Sequence, residues 1–445
     1  MTTLIRNATV LPCTPEMPVI QAGHVLVQDG LIASVGAGDG PNEIAGCAQI
    51  DAGGDIVMPG MVNPHAHLPM TLFRGLGEDV DDRLFRYVLP MERQFVSPEM
   101  VRTGTALAAW ESIAAGVTTV ADMYYYEAEV GRVLDAAGLR GVVGQTLADF
   151  DPPDHADMDA GFALVEALAD EFAGHPRVSA SIAPHAPYST DIPVMERVAH
   201  WASDHPEIPV QIHLAEMTSE LEWAERTYGC RPLEVVDRAG LLMPGLIAAH
   251  CLYLEKDEIA RLAETGVRVA HNARSNAKAG RGIAPVEAMR AAGIPVGIAT
   301  DGPMSGNTLD LFSQFGPVSM FAKLRGHSRK PMPARDVIAM ATREGAAVLG
   351  LEGKIGTLEV GKAADLIRIS TAAPRVQPIF DIYATLVFAA MPTDVTDVMV
   401  AGQWLMRDGA VLTLERDKVL RDAGQIAARF RAEMVEIDRR RDADG

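Results

Sequence analysis

The sequence predicts an α/β protein: a (β/α)8 TIM barrel with a small β-sandwich domain that both ends of the chain build together. Eight short apolar runs alternate with amphipathic stretches in the middle of the chain, and parallel strands need such helical crossovers. Several of these runs end in histidine or aspartate, as expected at the catalytic face of a barrel. We therefore assign residues 1–55 and 351–413 to the β-sandwich domain, 56–350 to the barrel, and 414–445 to a helical tail.

The individual elements follow from the spacing of apolar residues and turn residues. Residues 4–35 read as short strands, with turns at Gln28-Asp29-Gly30 and Gly36-Ala37-Gly38. A helix is predicted for about 333–349, followed by β structure and then by helical periodicity in the tail. The predicted barrel strands are 56–63, 117–123, 141–147, 178–184, 210–214, 246–250, 267–271 and 295–300.

Composition and charge limit the classes of partner. The chain has 445 residues, 48% of them hydrophobic and 22% charged, which fits a globular protein with a large core. A formal net charge of -20 opposes binding to nucleic acid or to an anionic membrane, so we expect a small-molecule substrate and neither of those partners. A homo-oligomer is compatible with the sequence. Residues 1–17 show no signal-peptide pattern and the four cysteines are scattered, which predicts a cytoplasmic protein with reduced thiols.

His65-Ala66-His67, at the end of the first barrel run, is the strongest indication of a metal site. Side chains alternate along a strand, so both histidines project to the same side and can bind one ion. His213 and Asp301 end two later runs and complete the predicted ligand set, although in isolation they could be a core histidine and a loop-capping aspartate. Three neutral imidazoles and a carboxylate suit a catalytic Zn²⁺ with an open position, and they also accept Fe²⁺ or Mn²⁺.

Proton transfer is assigned to residues just beyond the same strand ends. Glu216 follows His213 by three residues, and a carboxylic acid in a dry pocket has a raised pKa and can donate a proton to a ring nitrogen. His250 ends the next strand, where it can hydrogen-bond to the activated water or to a developing oxyanion. His185 follows the fourth strand as a substrate contact or, alternatively, as a core or loop anchor. No lysine ends that strand to bridge two metal ions, so we expect one ion.

A series of motifs runs in order through nearly the whole chain. They are Pro59-Gly60-Met61-Val62-Asn63-Pro64-His65-Ala66-His67, His213-Leu214-Ala215-Glu216, Ala249-His250-Cys251, His271-Asn272, Ser275-Asn276, Thr300-Asp301-Gly302 and Asn307-Thr308-Leu309-Asp310. This series resembles the amidohydrolase superfamily, and within it the branch of S-adenosylhomocysteine/5-methylthioadenosine deaminases and triazine or guanine hydrolases. The resemblance implies that Glu216 protonates the ring nitrogen next to the carbon attacked. It also implies that Asp301 takes the proton from metal-bound water and that His250 orients the hydroxide.

The resemblance extends to residues around the substrate. In Val88-Leu89-Pro90-Met91-Glu92 it implies that Glu92 accepts hydrogen bonds from ribose hydroxyls. Gln145, also assigned to the substrate site, stands where members that accept the homocysteine group have an arginine, so capture of a substrate carboxylate is not expected there. Residues 77–85 form a shorter segment than in typical members, with Arg83 where an aromatic residue is common. His271 is expected to brace its loop, with shaping of the pocket as the alternative.

These features predict a metal-dependent hydrolytic deaminase. The predicted substrate is an adenine nucleoside, such as adenosine, 5'-methylthioadenosine or S-adenosylhomocysteine, or a related aminated N-heterocycle. The alternatives are a hydrolase of guanine, a pterin or a triazine, including dechlorination, a hydrolase of a cyclic amide, and a non-catalytic scaffold. Glu216 and Glu92 together favour an aminated ring that carries a ribose.

Overall fold

The computed structural model describes residues 2–41, 44, 46–80 and 83–444. Their strands form two sheets. The first sheet contains β1 (Thr3–Val10), β2 (Ile20–Gln28), β3 (Leu31–Ala37), β4 (Ala48–Asp51), β5 (Ile56–Pro59), β14 (Leu366–Ile369), β15 (Val395–Val400), β16 (Gln403–Arg407) and β17 (Ala410–Val411). The second contains β6 (Met61–Ala66), β7 (Val117–Tyr124), β8 (Arg140–Leu147), β9 (Val178–Pro184), β10 (Val210–Leu214), β11 (Leu246–His250), β12 (Arg268–His271) and β13 (Val296–Ile298).

The first sheet combines both ends of the chain, which confirms the predicted small domain. β1 pairs antiparallel with β2 and parallel with β4 and β5. β5 pairs antiparallel with β14, with Pro59 opposite Leu366 and Ile56 opposite Ile369. Because of this pairing, the C-terminal strands continue the sheet that the N-terminal strands begin, in the order β17-β16-β15-β14-β5-β1-β2-β3.

The second sheet is the predicted parallel barrel. Strands β6 to β13 follow one another in chain order, and each neighbouring pair is parallel. The barrel is nearly closed, because β13 lies beside β6 and the Asp301 backbone N–H donates to the His65 carbonyl at 3.2 Å. The carboxyl ends of all eight strands therefore meet at one end of the barrel, where the predicted ligands lie.

Helices connect these strands and cover the barrel. They are α1 (Leu89–Phe95), α2 (Pro98–Ala114), α3 (Glu127–Ala137), α4 (Met158–Glu171), α5 (Ile192–Asp204), α6 (Thr218–Tyr228), α7 (Pro232–Arg238), α8 (Lys256–Thr265), α9 (Ala273–Lys278), α10 (Val286–Ala291), α11 (Pro303–Gly306), α12 (Phe312–Arg325), α13 (Ala334–Ala341), α14 (Arg343–Val348), α15 (Ile382–Phe388) and α16 (Arg416–Asp444). Short 3-10 helices occupy Leu68–Phe73, Pro374–Val376 and Pro392–Asp394, and a π-helical turn spans Leu84–Val88. Throughout the described residues, no helix is both long and apolar enough to cross a membrane.

Two predicted elements are divided in the structure. The run 56–63 forms two strands that meet at Gly60, with β5 in the first sheet and β6 in the barrel. A Cβ at Gly60 would lie 2.2 Å from the Thr118 side chain, so the close approach of the two sheets requires glycine. The predicted helix 333–349 is α13 and α14, separated by Thr342 with φ -125° and ψ -97°. The boundaries of the domains themselves remain a prediction.

Buried contacts join the outer parts of the chain to the barrel. Arg140, at the start of β8, forms two hydrogen bonds of 2.6 and 3.0 Å with the Asp365 carboxylate, and both side chains are almost fully buried. Asp365 immediately precedes β14, so this ion pair links the barrel to the first sheet. The tail helix α16 packs through Phe430, whose ring centroid lies 4.7 Å from that of Phe73 and 5.1 Å from that of Phe95. The long helical tail is therefore part of the folded protein.

Candidate active site

Four predicted ligands converge at the carboxyl ends of β6, β10 and β13, and we call them the ligand cluster: His65, His67, His213 and Asp301. The Asp301 Oδ1 atom lies 3.3 Å from His67 Nε2 and 3.9 Å from His65 Nε2. His67 Nε2 lies 3.3 Å from His213 Nε2. The nitrogen atoms of the three histidines lie within 4.8 Å of one another, as do ligand atoms of His65, His250 and Asp301. This spacing is compatible with one shared cation.

Backbone carbonyls orient two of the imidazoles. The Nδ1–H of His67 donates to the Met123 carbonyl at 2.5 Å, and the Nδ1–H of His213 donates to the His185 carbonyl at 2.7 Å. A carbonyl can only accept, so each ring has its proton on Nδ1 and directs Nε2 into the ligand cluster. Hydrogen bonds of this kind commonly set the tautomer of metal-binding histidines.

The electrostatics of the cluster fit a bound cation. His65 Nε2 is buried and has no hydrogen-bond partner among the described residues, which is costly unless another group satisfies it. Burial, assisted by His67 and His213, holds the pKa of His65 well below its ordinary value, so this ring is neutral. Burial acts to raise the pKa of Asp301, but the hydrogen bond from His67 and the neighbouring His250 hold it well below the usual range. Neutral imidazoles and an ionised carboxylate are the donor set that Zn²⁺ prefers.

His67 carries a proton that a cation would displace. Burial acts to lower the pKa of His67, but the hydrogen bond and charge of Asp301 raise it to about 9. Metal ligands must be deprotonated, so binding of a cation at the cluster should release this proton.

Several strand ends at the site have backbone angles that L residues rarely adopt. φ is +51° at Ala215, +73° at His250, +48° at Cys251 and +62° at Asp301. Left-handed conformations of non-glycine residues cost about 1–3 kcal/mol each and concentrate at functional sites. The backbone is therefore strained at these strand ends, where the chain turns at or next to residues of the site.

Glu216 lies next to His250 and Arg281. Its Oε1 atom is 3.5 Å from His250 Nε2 and accepts a hydrogen bond from Nη1 of Arg281. Burial acts to raise the pKa of Glu216, but His250 and Arg281 outweigh it, so the pKa is lowered. The raised pKa predicted for this carboxyl is therefore wrong, because the neighbouring His250 and Arg281 together favour its ionised form.

Glu220, four residues beyond Glu216, braces the same turn. Its two carboxylate oxygens accept the backbone N–H groups of Ala215 and Glu216 at 2.9 and 2.8 Å. Burial raises the pKa of Glu220 to about 7, against the effect of these hydrogen bonds. Sequence analysis missed Glu220, although its position in the first turn of α6 is a place where carboxylates often bind free N–H groups.

His250 is oriented from the loop that follows β12. Its Nδ1–H donates to the Asn276 Oδ1 atom at 2.8 Å, so a neutral ring presents Nε2 as an acceptor. The Ser275 hydroxyl donates to Asp301 Oδ2 at 2.5 Å. The segment after His271 thus supports two predicted site residues through Ser275 and Asn276. His271 itself is buried, and its Nδ1 atom has no hydrogen-bond partner in the described part of the chain.

Near the ligand cluster, Glu92 is buried and His185 is half-buried. The Tyr124 hydroxyl donates to Glu92 Oε1 at 2.6 Å, and burial raises the pKa of Glu92 to about 7. The His185 ring lies 4.9 Å from that of His213 between centroids, and its Nδ1 atom lies 2.6 Å from the Ser189 hydroxyl oxygen. His185 therefore adjoins a ligand and is also anchored by its own loop.

The two remaining substrate-site positions already have partners within the protein. The Gln145 amide donates to Asp154 Oδ2 at 2.9 Å and to the Thr146 carbonyl at 3.3 Å. Arg83 donates to the Met304 carbonyl at 3.2 Å. Within the predicted segment 77–85, positions 81 and 82 lie outside the described residues.

Comparison with known proteins identifies the family. The Amidohydrolase family model matches residues 56–405. The chain is 36% identical over 427 residues to a 5-methylthioadenosine/S-adenosylhomocysteine deaminase from Syntrophobacter fumaroxidans, covering 95% of this chain and 97% of that protein. The structure of this chain is similar to that of an adenosine deaminase from Xanthomonas campestris with bound zinc. The TM-score is 0.94 and the identity is 33%, and the match covers 97% of this chain and 98% of that chain. An atrazine chlorohydrolase from Arthrobacter aurescens, in complex with zinc, shares the fold at a TM-score of 0.88, 21% identity and coverage of 96% and 100%. The chain belongs to the amidohydrolase family.

Proposed function

We propose that the protein is a hydrolytic deaminase that replaces the ring amino group of an adenine nucleoside by oxygen and releases ammonia. The observation that carries the proposal is the position of the Glu216 carboxylate, 3.5 Å from His250 Nε2. The His250 ring in turn adjoins the ligand cluster, with its centroid 5.9 Å from that of His65. This position supports a role for Glu216 in proton transfer beside the ligand cluster, as hydrolytic attack on a ring carbon requires.

The ligand cluster would hold one divalent ion, and we assign this ion as zinc. Its donor set, its ionised Asp301 and the unpartnered Nε2 of His65 support this choice. When bound, such an ion supplies a Lewis acid that activates water near neutral pH.

The protein's own residues would carry the protons. Asp301, ionised in the folded protein, would accept a proton from the attacking water, and His250 Nε2 would orient that water by accepting a hydrogen bond. Glu216, a carboxylate in the folded protein, would take the second proton of that water and pass it to the ring nitrogen beside the attacked carbon. Asp301 would pass its proton to the amino group, which leaves as ammonia, and the ring retains the oxygen of the water. Acid–base catalysis of this kind typically contributes about 10²–10⁴-fold to the rate.

The substrate assignment rests on Glu92 and Gln145. We infer that the buried Glu92 carboxylate accepts hydrogen bonds from the ribose hydroxyls. Gln145 is uncharged and engaged with Asp154, so it offers no guanidinium for a carboxylate on the 5' group. Adenosine and 5'-methylthioadenosine fit this site better than S-adenosylhomocysteine. The relatives named for deamination of these nucleosides support the same class of substrate.

The proposal is tested by ammonia release from a panel of nucleosides, free purines, pterins and triazines. Zinc-loaded parent protein should release ammonia from adenosine or 5'-methylthioadenosine. The Glu216→Gln variant should retain its zinc and lose about 10²–10⁴-fold in kcat, because an amide of the same shape cannot transfer the proton. Activity on triazines or free purines without activity on any ribonucleoside would refute the nucleoside assignment. Near-parental turnover by Glu216→Gln would refute the role of this residue.

A further inference from the structure

Arg281 covers the carboxylate that the proposed reaction needs. Its guanidinium donates through Nη1 to Oε1 of Glu216, the same oxygen that lies 3.5 Å from His250 Nε2. The Arg281 side chain is 28% exposed, whereas that of Glu216 is 11% exposed. The Arg281 side chain is therefore more accessible to solvent than the carboxylate that it pairs with.

The loop that carries Arg281 leaves room for the side chain to move. Arg281 lies between Gly280 and Gly282, which have φ of +67° and +120°, and a Cβ at either glycine would meet no atom within 4 Å. Residues 277–280 and 282–283 are exposed. The Arg281 backbone is fixed, because its N–H donates to the Asn276 carbonyl at 2.9 Å and its carbonyl accepts from the Tyr253 hydroxyl. A fixed backbone in open surroundings allows the guanidinium to swing without a change in the fold.

An ion pair at this position competes with the substrate. A ring nitrogen that takes a proton from Glu216 must approach its carboxyl oxygen, and Oε1 is already occupied by the guanidinium. The Arg281 side chain is partly exposed, so its guanidinium can regain water when it leaves Glu216, which lowers the cost of displacing it. Glu216 itself is buried, so salt should screen the pair only modestly.

We propose that Arg281 is a latch that pairs with Glu216 and is displaced when an uncharged aminated ring binds. The latch makes Arg281 a specificity-determining residue, since a ligand must exchange its own contact with Glu216 for that of the guanidinium. This inference rests on the proposed function, in which Glu216 contacts the ring. The competing role is a direct contact between Arg281 and the substrate.

Kinetics on the best substrate of the parent separate these roles. With a latch, Arg281→Gln lowers KM three- to tenfold and leaves kcat within about threefold, because the bound ring has already displaced the guanidinium. A higher or unchanged KM in Arg281→Gln, or a loss of kcat alone, would overturn the latch. Lys278→Gln is the matched control, since Lys278 pairs with Glu78 at 2.6 Å and should leave KM unchanged.

A second measurement needs no substrate. The arginine reagent phenylglyoxal, with peptide mass spectrometry of zinc-loaded protein, should label Arg281 several-fold faster in Glu216→Gln than in the parent. Arg238, which pairs with Glu234 on the surface, is the internal reference. Equal labelling of Arg281 in both proteins would show that the resting pair does not form and would overturn the proposal. A parent that deaminates no ring would refute the proposed function while this labelling still decides whether the latch exists.

Discussion

The dependence of KM on pH should reveal whether Glu92 binds a ribose. Burial raises the pKa of Glu92 to about 7, although the hydrogen bond from Tyr124 and the charge of His67 oppose the shift. The carboxylate form accepts hydrogen bonds from both ribose hydroxyls, whereas the protonated form has a donor in place of one acceptor. Affinity for a ribonucleoside should therefore increase as the pH rises through 7.

The size of the effect follows from this pKa. A group with a pKa of about 7 is about one-tenth ionised at pH 6 and about nine-tenths ionised at pH 8. If the carboxylate form alone binds the diol, KM for adenosine should fall up to about tenfold over this range. The ratio of KM for adenosine to KM for the free base adenine removes the contribution of groups that affect both ligands.

The assay measures that ratio at several values of pH between 6 and 8, for the parent and for Glu92→Gln. The amide cannot ionise, so the variant should bind adenosine more weakly and show a ratio independent of pH. A flat ratio in the parent would refute the contact between Glu92 and the ribose. A sloping ratio in Glu92→Gln would assign the titration to another group.

Three further predictions concern the support of the site, the fold and the substrate. Glu220→Gln should lower kcat about tenfold or more with unchanged metal content, because losing one acceptor for a buried N–H costs about 1–3 kcal/mol; an unchanged kcat would show that the turn does not need this carboxylate. Arg140→Ala should destabilise the protein in urea by about 3–5 kcal/mol, since it leaves Asp365 buried with an unpaired charge. The exposed pair of Arg197 is the control, and Arg197→Ala should cost less than about 1 kcal/mol. Finally, kcat/KM for adenosine or 5'-methylthioadenosine should exceed that for S-adenosylhomocysteine by at least about tenfold, and equal values would contradict the inference from Gln145.

Much of the fold could be predicted because barrel strands and their ends have a clear sequence pattern. The predicted strands 210–214 and 246–250 are β10 and β11 with the predicted bounds, since short apolar segments between amphipathic helices allow few other structures. The division of the run 56–63 into two strands could not be predicted in this way. Both of its parts are buried, so an apolar pattern cannot show that the chain changes sheets at Gly60.

The supporting residues of the site could not be predicted from local patterns. Arg281 reaches Glu216 across 65 positions, and nothing near either residue in the sequence indicates the pairing. The left-handed conformation of Ala215 is imposed by tertiary contacts, because alanine rarely adopts it. The convergence of the predicted ligands could be predicted, since each stands at or just beyond the end of a strand and strand ends share one face of a barrel.

We propose that deamination depends on a metal ion held by the ligand cluster. The zinc content of purified parent, His65→Ala and Asp301→Ala, together with ammonia release from the best nucleoside substrate, tests this proposal. We expect about one equivalent of zinc per chain in the active parent, and loss of both zinc and turnover in each variant. Full turnover by a variant without zinc, or two equivalents in the fully active parent, would contradict it.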